Sequence, residues 1–231
     1  LQANALIRKP TLLTLEEAAG LPLAGLTAYQ SVITSGKLAA GERIFINGGS
    51  SSVGIVAIQI AKAVGAYVVS SCSTKNIDFV KGLGADEVLD YTTSPLPAQL
   101  KTLYSGNQFD LIFDSIGTDS IYKACPAYLK EGKPFINVGA QTLEKGASAI
   151  PGMVLAGLAT KIPGWLGGVS REFRSETLVV QKESLVALGE LAEKGQVTGN
   201  IDSVFEFDDV QKAFERIMTS RARGKVIVNI A

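Results

Sequence analysis

Between Arg43 and Gly65 the chain reads RIFINGGSSSVGIVAIQIAKAVG: a short apolar run, a turn of small residues, and an amphipathic stretch rich in alanine and isoleucine. A strand, a tight loop and a helix in that order bring backbone N–H groups and a helix N-terminus to one point, which suits a phosphate and hence a dinucleotide. In the fingerprint G-x-G-x-x-G the first glycine turns the chain, the second lets backbone approach the pyrophosphate, and the third lets helix pack on strand. Those positions hold Gly49, Ser51 and Gly54. Gly49 and Gly54 suit the outer two tasks, whereas Ser51 brings a Cβ to the middle one. The hydroxyls of Ser50, Ser51 and Ser52 can donate to phosphate oxygens and so replace the lost backbone proximity. A serine-glycine turn alone is also an ordinary loop; the strand before it and the helix after it favour the cofactor reading.

About twenty residues on, an acidic side chain would bond the ribose 2′-hydroxyl of NAD. No Asp or Glu lies between Glu42 and Asp78. Instead SSCSTKN, from Ser70 to Asn76, supplies hydroxyls at Ser71, Ser73 and Thr74 with Lys75 beside them. A carboxylate repels a 2′-phosphate, whereas a lysine and hydroxyls accept it, so NADP(H) is the expected form. Thr74 is equally placed to cap the helix that follows, and the two roles are compatible.

The elements that must position these residues are apolar runs alternating with helical stretches, the pattern of a parallel sheet wound with crossover helices. Strands are expected at Arg43–Asn47, Tyr67–Ser71, Glu87–Leu89, Leu111–Asp114, Pro134–Val138 and Glu176–Val180. Helices are expected at Val53–Val64, Asn76–Gly82, Ala98–Tyr104, Asp119–Leu129 and Glu183–Lys194. Several strands are continuous apolar runs, as in strands covered on both faces. The expected fold is therefore α/β, a six-stranded, doubly wound parallel sheet of Rossmann type. Before it, Thr14 to Val32 reads as helical segments, with Thr14 and Glu17 forming a capping box and Pro22 dividing the first segment from the second. After it, Ser203–Phe207 reads as a strand, Asp208–Ser220 as a helix capped by Asp208, and Lys225–Ile230 as a last strand.

Composition narrows the function. With 46% apolar and 19% charged residues among 231, the chain has material for a substantial core. Lys plus Arg and Asp plus Glu are both 22, so no overall field draws nucleic acid or anionic lipid. Histidine is absent, which excludes Ser-His-Asp or Cys-His catalysis and His-ligated zinc built from this chain alone. Cys72 and Cys125 read as small buried apolar residues in a reducing compartment. The chain starts at Leu1 without the pattern of a secretory signal and reads as beginning inside a longer protein. Ile150 to Val169 is apolar over about the length of a membrane span. Its prolines, glycines and Lys161 favour a lid or interface over a transmembrane helix, with contact to a membrane surface the less favoured option.

PLAGLTAYQSV, GERIFINGGSSSVGIVAIQIAKAVGA, CSTKN, LGADEVLDY, FDLIFDSIG and the closing ARGKVIVNIA follow one another at characteristic spacing. On these motifs the chain resembles medium-chain dehydrogenases/reductases of the zeta-crystallin-like quinone oxidoreductase branch over nearly all its length, residues 141–171 matching least. The resemblance implies a GroES-like domain preceding Leu1. It also implies a helical arm over 1–32, an NADP-binding Rossmann domain over 33–200, and a segment over 201–231 that returns to the GroES-like, substrate-binding domain. It implies that Ser50, Ser51, Ser52 and Val53 hold the pyrophosphate, although glycines are usual at 51 and 52. Ser73, Lys75 and Asn76 would face the 2′-phosphate, and Tyr91 would reach the same region, though it also fits a packed aromatic. Val138 and Gly139 would meet the nicotinamide end through backbone groups, or simply end a strand. Thr27 and Lys225 resemble positions near the nicotinamide and the cleft.

The activity implied is zinc-independent, NADPH-dependent hydride transfer to a small-molecule quinone or α,β-unsaturated carbonyl by a homodimer joined along the sheet edge. No catalytic residue and no metal ligand is assigned. Two alternatives stand beside it: an NADP-binding interaction module without turnover, and a trans-acting enoyl reductase of a carrier-bound chain.

Overall fold

The computed structural model describes residues 5–139 and 168–230. Six parallel strands form its main sheet: β1 (Arg43–Asn47), β2 (Tyr67–Cys72), β3 (Glu87–Asp90), β4 (Leu111–Asp114), β5 (Pro134–Asn137) and β6 (Glu172–Ser175). Their spatial order is β3-β2-β1-β4-β5-β6, so the winding reverses between β1 and β4. Open sheets bind ligands outside the carboxyl ends of their strands at such a reversal. The centre is apolar on both faces: Phe45 lies opposite Val69 and Ile112, and Ile44, Phe45, Ile46, Ile112 and Phe113 are wholly buried.

The helices supply the covering layers. α1 is Leu15–Tyr29, α2 Ser52–Val64, α3 Ile77–Gly82, α4 Leu96–Tyr104, α5 Asp119–Ala124 and α6 Lys182–Glu193. α2 buries Ile55, Ile58 and Ile60 against the sheet, each worth about 1.5–3 kcal/mol, and it stops at Gly65, whose φ of 89° suits a glycine. On the opposite face Leu100, Tyr104, Phe109, Tyr128 and Phe135 form the second half of the core. Beyond the sheet, β7 (Ile201–Glu206), α7 (Val210–Met218) and β8 (Lys225–Asn229) make a separate two-stranded parallel unit.

Four expectations need correction. The helix over Thr14 to Val32 is not divided at Pro22: the capping box of Thr14 and Glu17 starts α1, which runs unbroken to Tyr29 and then widens into a π-turn over Gln30–Ser35. Pro22 stands on the exposed side, where water can serve the carbonyl it leaves unpaired, while Leu21, Ala24, Gly25 and Ala28 bury the other side. The sixth strand is Glu172–Ser175, not Glu176–Val180. Phe173 decides this register by stacking on Phe135 at 5.9 Å, whereas Val179 and Val180 stay exposed. The helix expected over Asp119–Leu129 ends at Ala124 and tightens into a 3-10 turn over Cys125–Ala127, because Pro126 offers no N–H. Asp208 caps nothing; it sits in a 3-10 turn, Phe207–Asp209, that precedes α7. The apolar stretch Ile150–Val169 lies, apart from Gly168 and Val169, outside the described residues. Among the described residues no helix is long and apolar enough to cross a membrane.

Candidate functional site

A cleft of about 890 Å³ opens at the carboxyl ends of the central strands, between the β1–α2 loop and the β7–α7–β8 unit. Ser50, Ser51, Ser52, Tyr91 and Lys225 all line it. Gly48, with φ of 85°, makes the turn out of β1, and a Cβ there would press on Ile116 and Ser115. A Cβ on Gly54 would overlap the Gly48 carbonyl, so the third glycine of the fingerprint does bring helix onto loop.

The three serine hydroxyls divide their work unequally. Ser51 is the N-cap of α2: its Oγ accepts from Gly54 N at 3.0 Å. Ser115 Oγ donates to the Asn47 carbonyl at 2.7 Å, which leaves it as acceptor for the Ser51 proton across 2.9 Å. Ser52 Oγ donates to the Gly224 carbonyl at 2.7 Å. Ser50 Oγ accepts from Asn76 Nδ2 at 3.0 Å and keeps its own proton free. Only Ser50 thus retains a hydroxyl donor for a phosphate, and the expected grip by three hydroxyls reduces to one. The backbone supplies the rest: Ser52 and Val53 are the first two residues of α2, and their N–H groups have no acceptor among the described residues.

Lys225 adds charge. Its amine has neither an acidic partner nor another hydrogen bond among the described residues, and burial holds its pKa below the usual lysine range. An anion in the cleft would receive a full positive charge beside a helix N-terminus.

Beside the cleft but outside its lining, at the turn expected to face adenosine, the Ser73 carbonyl accepts from Asn76 N at 2.8 Å, and Lys75 is exposed. Asn76 is buried, with Oδ1 unpartnered among the described residues and Nδ2 on Ser50, so it braces the β1–α2 loop instead of facing outward. Tyr91 is 53% exposed and stands against the cleft, not in the core. Two residues here escaped sequence reasoning. Arg223 crosses from the far unit, donates to the Lys75 carbonyl at 3.0 Å and lies 5.7 Å from the Phe79 ring centre. Asp90 brings a carboxylate to this turn from β3, but Thr74 and Thr92 occupy it, their hydroxyls donating at 2.5 and 2.6 Å. Those bonds hold Asp90 below the usual carboxylate range. Thr74 therefore ties β3 to the turn and makes no side-chain cap of the following turn.

The third wall is the loop after β4. Asp114, buried, accepts from Asn47 Nδ2 and from the backbone N–H groups of Ile116, Gly117 and Thr118 at 2.6–2.9 Å. Ser71 Oγ donates to Asn47 Oδ1 at 2.7 Å, which extends the network to β2. Val138 and Gly139 lie at the end of β5 beside this loop, outside the cleft lining; a Cβ on Gly139 would overlap the backbone of Ile116 and Gly117. Thr27 also lies outside the lining and spends its hydroxyl on the Leu23 carbonyl at 2.8 Å. Polar residues ending apolar runs, Asn47 in RIFIN and Asp114 in LIFD, were the available signal for this network; Arg223 carried none. Among the described residues no three of His, Cys, Asp and Glu gather into a cation site.

The "Zinc-binding dehydrogenase" family matches residues 83–228. The chain is 37% identical over 223 residues to the medium chain reductase pydE of Acremonium sp, covering 96% of this chain and 60% of that protein. It is 38% identical over 218 residues to the trans-enoyl reductase pgmF of Aspergillus terreus, covering 93% and 59%. Among solved structures, the quinone oxidoreductase from Coxiella burnetii superposes with a TM-score of 0.76 at 25% identity, over 97% of this chain and 64% of that one. The chain thus spans about 60% of the length of the curated relatives it matches. By the matched residues, the strand order and the loop geometry, the chain belongs to the zinc-binding dehydrogenase family of the medium-chain dehydrogenase/reductase superfamily.

Proposed function

We propose that this chain holds the cofactor of an NADPH-dependent oxidoreductase that reduces a quinone or an α,β-unsaturated carbonyl by hydride transfer. The observation that carries the reading is that one cleft is lined by Ser50 with its free hydroxyl, by Ser52 with its free N–H at the start of α2, and by Lys225. These groups suit a pyrophosphate. When bound, the dinucleotide supplies the hydride from its nicotinamide. The chain's own residues bind and orient: Asn76 aims the Ser50 proton by bonding its oxygen, and the Ile116–Thr118 loop, fixed by Asp114, walls the opposite end. Preference for NADPH over NADH rests on Ser73, Lys75 and Arg223 grouped at the adenosine turn, where Asp90 is already occupied by Thr74 and Thr92. The donor of the completing proton is assigned to no residue of this chain.

A second reading is favoured by the identity to the trans-enoyl reductase of Aspergillus terreus: an acceptor presented as an enoyl chain on a carrier protein. Calorimetric titration with NADPH and NADH tests the cofactor. Failure to bind either, or tighter binding of NADH, would sink it. Turnover with quinones, free enoyl thioesters and carrier-bound enoyl chains then separates the acceptors, and binding without turnover on any of them would favour the non-catalytic module. Activity that survives a chelator is expected of a zinc-independent enzyme. Two copies joined along the β6 edge of the sheet are the expected assembly, which sedimentation checks.

A further inference from the structure

The turn Arg223–Gly224–Lys225 is bonded to its own unit at Arg223 N and Lys225 N, while its Gly224 carbonyl is held from outside it. Arg223 N donates to Asp202 Oδ1 at 2.8 Å, and Lys225 N to the Asn200 carbonyl at 2.8 Å. Asp202 is itself gripped by both arms of the Arg216 guanidinium at 2.6 and 2.7 Å. Gly224, with φ of 106°, leaves no room for a side chain, since a Cβ would overlap the Asn200 carbonyl. Two bonds leave this turn for the opposite wall of the cleft. Arg223 reaches the Lys75 carbonyl at the adenosine turn, and the Gly224 carbonyl receives the Ser52 proton at the phosphate loop.

We propose that Ser52 is a positioning residue whose hydroxyl fastens Gly224 to the phosphate loop and thereby holds the Lys225 amine in the cleft. The proposal rests on the reading of that cleft as a dinucleotide site. Gly224 is buried, and its carbonyl has the Ser52 hydroxyl as its partner. Without that proton the carbonyl must remain unpaired or swing toward water. The peptide that carries this carbonyl also carries the Lys225 N–H, so a swing would pull that N–H off the Asn200 carbonyl and displace the Lys225 side chain, whose amine has no hydrogen-bond partner among the described residues. A serine contacting phosphate directly would act through its own donor; Ser52 has spent that donor and acts through its neighbour's charge.

The test compares wild type, S52A and S52T by hydrogen exchange of the segment around residues 221–226 without cofactor and by calorimetric titration with NADPH. Loss of one such bond predicts faster exchange and about fivefold weaker NADPH binding in S52A. S52T, which keeps the hydroxyl, should restore both. Unchanged exchange in S52A, or an S52T protein as impaired as S52A, overturns the proposal. If the wild type binds neither NADPH nor NADH while S52A still exchanges faster, the fastening is supported and the dinucleotide reading falls.

Discussion

Asn47 and Asp114, at the carboxyl ends of neighbouring strands β1 and β4, are joined by a bond of 2.8 Å from the Asn47 amide to Asp114 Oδ1. The same carboxylate takes the N–H groups of Ile116, Gly117 and Thr118. Replacing Asp114 by Ala leaves the buried Asn47 amide and three half-buried N–H groups without their acceptor, at a cost of about 3 kcal/mol. For a chain of this length that lowers Tm by about 6–12 °C. D114N keeps the shape but turns an acceptor into a donor against N–H groups, so it should also destabilise. Thermal unfolding by circular dichroism checks both.

Gly139 meets the Ile116–Gly117 backbone so closely that no side chain fits between them. G139A forces two backbone segments apart, with no rotamer to relieve the overlap. The expected loss is about 1–3 kcal/mol, with weakened cofactor binding because the wall after β4 shifts. Normal stability and normal NADPH affinity in G139A would show that the approach constrains nothing.

Lys225 and Arg223 should separate two parts of the cofactor. K225M removes the charge assigned to the pyrophosphate and should weaken NADPH and NADH alike by about tenfold. It should also flatten the salt dependence of binding. R223A should weaken NADPH more than NADH, because only NADPH carries the extra phosphate at the adenosine turn, whereas the loss of the Lys75 bond touches both cofactors alike. Equal losses for both cofactors in R223A would remove Arg223 from the 2′-phosphate.

Acid should loosen the β7–α7–β8 unit. The Arg216 guanidinium pulls Asp202 down from 3.8 to about 2. A depressed carboxylate stabilises the fold above its unfolded value, and that contribution is lost as pH falls from about 4 through about 2. D202N should be less stable than wild type at neutral pH and should lose less on acidification. Urea midpoints at pH 7 and pH 3 measure the difference.

The two thiols should be inert in the native protein. Burial pushes Cys72 up to about 11 and Cys125 up to about 12, and both are free. Since the thiolate is the reactive form, iodoacetamide at pH 8 should label neither until the chain is unfolded. Fast labelling of Cys72, which borders the cleft, would contradict its burial.

The sequence made the sheet legible where burial on both faces writes continuous apolar runs. β1 and β4 fall at Arg43–Asn47 and Leu111–Asp114 as expected. β6 was hidden because EFRS holds a single large apolar residue, and its partner is the aromatic face of Phe135, far away in sequence. The nearby LVV run looked more strand-like and is instead tied by the Gln30 amide, which bonds both the N–H and the carbonyl of Val179. In the site, the serine loop at the start of α2 was legible from local spacing, whereas Lys225 came only through the family resemblance. The destinations of the serine protons were not, since Ser51 and Ser52 find partners 64 and 172 residues away.

The bond from Ser52 to Gly224 also sets an order of events during synthesis. The six-stranded sheet uses nothing beyond Ser175, yet the phosphate loop acquires its last partner only when residue 224 has been made. A growing chain can therefore pair its six strands well before it completes its cleft, while Leu188, Ala192 and Val197 have still to close the core. Protection by a bound dinucleotide against proteolysis would then arrive only once residue 224 is made, making nucleotide affinity a readout of the docking of the β7–α7–β8 unit and not of sheet pairing.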